Sequence, residues 1–110
     1  MSETKNNIDI HTCNSDLLTQ VISQMEKEIE MSGELLKFET SDISDLLKNM
    51  SDFLASIDRG TRLQNLLYRV DVNLGLMQQD LPYYESISLL LWNRVLQKVW
   101  FRQQFKIGNI

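Results

Sequence analysis

Apolar side chains recur along the chain in four segments at helical spacing, with almost none of the strict alternation that a half-buried strand requires. Leu17, Leu18, Val21, Ile22, Met25 and Ile29 return every three or four residues, opposite Gln20, Gln24, Glu26, Lys27, Glu28 and Glu30. This pattern predicts an amphipathic helix with an N-cap at Ser15, a solvated acidic face and a stop at Gly33. Ile43, Leu46, Leu47, Met50, Phe53, Leu54 and Ile57 make a second stripe, which Thr40 or Ser41 caps and Gly60 ends. Between these two, Leu35, Leu36 and Phe38 are expected to fold back onto the core. Thr61 opens a short third helix with Leu63, Leu66, Leu67 and Val70 inward and Arg62, Gln64 and Arg69 outward. Residues 72–77 read as a capped turn with Asn73 as its N-cap.

The fourth segment, residues 82–105, is the longest and most apolar, and the others are expected to pack around it. Ile87, Leu89, Leu90, Leu91 and Trp92 point in nearly every direction of a helix, and a helix apolar all round has to be covered all round. Farther on, Trp92, Val95, Leu96, Val99 and Trp100 narrow to one arc, while Arg94, Lys98 and Arg102 recur every four residues on the other side. Pro82 suits the first turn, where a missing N–H costs nothing, and Asp80 favours the positive helix end. The fold class is therefore all-α: a small bundle of about four main helices with a central C-terminal helix. Residues 1–14, polar and without periodicity, read as a flexible N-terminal arm, and residues 15–110 as a single domain.

Composition agrees with the pattern. The chain has 110 residues, one Pro and four Gly, which is enough length for one core without a covalent staple and few turn signals for a sheet. A lone cysteine, Cys13, excludes an internal disulfide framework and fits a reducing compartment. The first residues lack the apolar core of a signal peptide, and the run 87–92 is far shorter than a membrane span needs. A cytoplasmic protein with no membrane association is expected.

Candidate chemistry is sparse. His11 and Cys13 do not make a zinc site by themselves, and Glu26 and Glu30, one helical turn apart, lack the Glu-x-x-His pairs of a carboxylate metal centre. No phosphate-binding glycine loop, nucleophile elbow or metalloprotease motif occurs. No catalytic, cofactor or metal residue is expected, and the chain does not read as an enzyme.

Charge placement carries more information. Through Asp58 there are four Lys against twelve Asp or Glu, a balance of −8; from Arg59 onward seven Lys or Arg face three acids, a balance of +4. The basic row of the last helix lies beside Phe101 and Phe105, and aromatics next to arginines suit an interface. Arg94, Lys98, Phe101, Arg102 and Phe105 are the candidate partner-binding residues. The expected function is that of a protein-interaction or self-associating helical protein, forming a homodimer through its last helices or binding another protein. The alternative is a nucleic-acid-binding accessory whose Arg94, Lys98 and Arg102 contact phosphates. A net charge of −4 argues against it at long range.

The run from Arg62 to Val72, RLQNLLYRVDV, followed by Arg94-Val95-Leu96-Gln97-Lys98 and Arg102-Gln103-Gln104-Phe105, resembles small helical bacterial proteins of uncharacterised activity. The resemblance covers the last half of the chain. It implies a helical fold in a bacterial cytoplasm and brings no activity, cofactor or site residue with it.

Overall fold

The computed structural model describes residues 9–108, and within the last helix the side chains up to residue 104. Four α-helices follow one another: α1 (Ser15–Met31), α2 (Ile43–Ile57), α3 (Arg62–Val70) and α4 (Tyr83–Gly108). Two short 3-10 turns, Ile10–Thr12 and Leu74–Leu76, precede α1 and α4, and no strand occurs among the described residues. The protein is an all-α bundle.

The termini follow from local hydrogen-bond chemistry. Asn14, one residue before the expected Ser15, caps α1, because its side-chain oxygen reaches the Leu17 N–H at 2.8 Å. Asp42, rather than Thr40 or Ser41, caps α2 by accepting from the Asp45 N–H, while the Thr40 hydroxyl accepts from Asp42 one step upstream. Gly33 closes α1 at a φ of +101°, a left-handed conformation that a Cβ would strain. Asn73 caps the 74–76 turn as its sequence predicts.

α4 is the axis of the molecule. It packs chiefly against α2 and α1 and more lightly against α3. Ile87, Leu91, Trp92, Val95, Leu96 and Val99 are buried among Val21, Met25, Ile29, Leu46, Met50, Leu54, Leu66 and Val70. Two buried serines let neighbours approach the enclosed first half of α4 without leaving a hydroxyl unpaired. The Ser88 hydroxyl donates to the Leu47 carbonyl at 2.9 Å, and the Ser86 hydroxyl accepts from the Gln78 N–H at 2.8 Å. Trp92 is fully buried and meets Phe38 edge to face, ring centres 5.0 Å apart. Its indole N–H has no acceptor among the described residues.

Two stretches depart from the sequence expectation. Residues 1–8 lie outside the described residues, but the second half of the expected flexible arm is docked. Ile10 is fully buried, its N–H donates to the Asn93 side chain at 2.8 Å, and Cys13 packs on the core. Two isoleucines, Ile8 and Ile10, in a polar segment are too few to show a helical period. The connection from α1 to α2 is extended, so alternate residues share a side. Leu36 and Phe38 turn to the bundle, whereas Leu35, out of phase, stays 74% exposed.

Candidate interaction surface

The basic row of α4 is built by four-residue spacing on a 3.6-residue helix, so it drifts about 40° per step around the axis. Arg94 therefore meets one neighbour and the later cations meet another. The Arg94 guanidinium donates to the Asp71 carbonyl at 3.1 Å, to the Asp71 carboxylate at 3.3 Å and to Gln97 at 2.7 Å. The Lys98 ammonium lies 3.9 Å from Glu28, and Arg102 donates to Gln24 at 3.4 Å. Gln103 reaches Gln20 at 2.6 Å, completing a polar seam between antiparallel α4 and α1.

Glu28 is the centre of that seam. The α1 pattern placed it on a solvated acidic face, yet it is only 6% exposed. Its carboxylate accepts from Gln24 at 3.0 Å and from Arg69 of α3 at 3.2 Å, beside the Lys98 ammonium of α4. One acid thus joins three helices. Glu26 also leaves the solvated face, because it accepts from the Phe38 N–H at 2.8 Å and lies 3.6 Å from Lys37, clasping the extended connection. Amphipathic periodicity assigns a face by angle alone, and a carboxylate on the flank of the stripe is within reach of an arginine that the angle does not reveal.

Other ionisable groups are tuned by single contacts. The Arg62 guanidinium grips Glu34 with two hydrogen bonds, 2.7 and 2.8 Å, and holds that carboxyl below the usual glutamate range. The Tyr84 hydroxyl donates to Asp58, which raises its pKa, and burial raises that of the Cys13 thiol. Among the described residues no group of three His, Cys, Asp or Glu could hold a metal ion. The described helices include none long and apolar enough to cross a membrane.

With Arg94 and Lys98 engaged inside the fold, the open part of the row holds Arg102 beside the apolar Phe101. Phe101 is 50% exposed and leans edge to face on the half-buried Trp100, ring centres 5.3 Å apart. The Phe105 side chain lies outside the described residues. On the helix cylinder Tyr83, Leu90, Arg94, Gln97 and Phe101 follow one line at intervals of seven, four, three and four. Tyr83 is 53% exposed, and Leu74 and Leu76 of the adjoining turn are exposed as well. Tyr83, Leu74 and Leu76 are absent from the sequence-derived candidates. The seven-residue step from Tyr83 to Leu90 to Gln97 was the available signal, hidden in a stretch apolar on every side.

Compared with models of known protein families, with curated proteins and with solved structures, the chain matches none.

Proposed function

We propose that this chain is a small protein-interaction module that self-associates through the outer face of α4 and the neighbouring 74–76 turn. The supporting observation is the exposure of Leu74, Leu76, Tyr83 and Phe101, four large apolar side chains, on one turn and the helix it adjoins. Tyr83 and Phe101 share one line of the helix, and exposed aromatics near arginine are common anchors of interfaces.

A second copy is the partner that best fits the spacing. The line Tyr83, Leu90, Arg94, Gln97, Phe101 follows the three- and four-residue alternation of a two-helix seam. Packed antiparallel about a two-fold axis, two such helices bring Tyr83 of each copy opposite Phe101 of the other, so that both aromatic ends are covered at once. No catalytic step is assigned to the surface. The nucleic-acid alternative draws less support, since Asp71 and Glu28 already neutralise Arg94 and Lys98.

Sedimentation equilibrium across the micromolar range tests the proposal. A monomer–dimer equilibrium is expected, shifted to monomer by Phe101→Asp and by Tyr83→Asp, with the helical circular dichroism unchanged. A monomer at every concentration would refute self-association. A dimer indifferent to both substitutions would refute this face as its site.

A further inference from the structure

Away from the α4 face, a groove of about 430 Å³ opens between the N-terminal 3-10 turn, α2 and the start of α4. Its size lies within the roughly 300–1,000 Å³ of small-molecule sites, too small for a macromolecular partner to enter as a folded element. The lining divides into two chemistries. Leu47, Leu81 and Leu89 are apolar and partly buried, whereas Asp52, Glu85, His11, Lys48, Ser44 and Ser51 present polar atoms.

Two of these side chains are carboxylates, which only accept. The Asp9 carboxylate sits 2.8 Å from His11 Nδ1. A carboxylate only accepts, so Nδ1 carries a proton. Glu85 makes no ion pair among the described residues. The one cation of the lining, Lys48, is spoken for by Asp52 one turn along α2, at 3.4 Å. The lining thus carries two carboxylates, Asp52 and Glu85, against one lysine.

We infer that this groove binds a small aliphatic amine, its hydrocarbon chain against Leu47, Leu81 and Leu89 and its ammonium between Glu85 and Asp52. An alkylammonium matches both chemistries of the lining. A carboxylate ligand would meet two like charges, and a neutral alcohol would leave them unanswered. The Lys48–Asp52 pair acts as a competitor, because the ammonium of Lys48 occupies one of the carboxylates that the ligand would use.

Hexylamine, with hexanoate and hexanol as controls, titrated into the isotope-labelled full chain provides the test. Saturable amide shifts are expected at residues 44–52 and 81–89 with hexylamine alone. Glu85→Gln should weaken binding by about two- to fivefold, the range of a partly exposed charge contact, and Lys48→Met should strengthen it by a similar factor. The side chains of Lys48 and Asp52 are 74% and 69% exposed, so a folded variant is expected, and unchanged circular dichroism checks it. Absence of saturation, equal shifts with hexanol, or an affinity unmoved by both substitutions would each overturn the assignment.

Discussion

The two halves of α4 solve the burial problem differently. Around Ile87 and Leu91 the helix is buried over most of its circumference, with Leu89 and Leu90 half-buried, and its buried polar relief consists of two serines small enough to let neighbours in, each with its hydroxyl paired. Beyond Asn93 only the arc of Val95, Leu96 and Val99 is buried, and long side chains at its margin reach across to α1 and to Asp71. The first half is held by surrounding contact and the second by a stripe plus polar ties. Apolar contact is nondirectional and tolerates little loss of volume, whereas the ties depend on charge and on reach.

The largest effect should come from removing volume. Leu91→Ala in the enclosed half and Leu96→Ala in the one-sided half, both fully buried, should each cost about 2–5 kcal/mol in denaturant unfolding. Leu91 is expected at the upper end, because fewer of its neighbours can move to fill the space. A clearly greater loss at Leu96 would break the contrast.

Removing the central tie should cost less. Glu28→Ala leaves Arg69 and Lys98 without their carboxylate and should lower stability by about 1–3 kcal/mol, while Glu28→Gln should recover part of it by keeping hydrogen-bond acceptance. The alanine loss should shrink when Lys98→Met is already present, and strict additivity in that double-mutant cycle would mean that the pair contributes nothing.

How much of this was open to reading in the sequence differs by feature. The four stripes give the helices and most of the core, because Leu46, Met50 and Leu54, or Leu63, Leu66 and Val70, recur at the period of the helix that buries them. Ile10 escaped because it and Ile8 are too few to show a helical period, and Glu28 because its environment is made by α3 and α4, 41 and 70 residues farther along. The basic row of the candidate surface was visible as a row. Its pairing with Asp71 and Glu28 was not, since a four-residue repeat does not show which neighbouring helix its drift will meet. Leu74 and Leu76 escaped for a different reason: exposure of a short turn depends on how it docks, and no pattern of three residues records that.

The smallest expected effect concerns charge alone. Because Arg62 holds the Glu34 carboxyl low in the folded protein, the pair stabilises the fold above the ordinary glutamate pKa of about 4.3 and loses that contribution as pH falls through the lower folded value. Carboxyl chemical shifts followed through an acid titration should place Glu34 below the other glutamates, and Arg62→Ala should return it to their range. Coincident titration in both proteins would remove the Glu34–Arg62 clasp from the account.

The central position of α4 has a consequence for the order in which the molecule comes into being. Synthesis delivers α1, α2 and α3 before α4, yet the apolar stripes of α1 and α2 are covered mainly by that later helix. Even the N-terminal turn waits, because Ile10 binds Asn93, 83 residues downstream. α1 and α2 therefore emerge without the main partner of their inner faces, and the acidic balance of the first half, by mutual repulsion and good hydration, opposes association between nascent chains until the axis arrives.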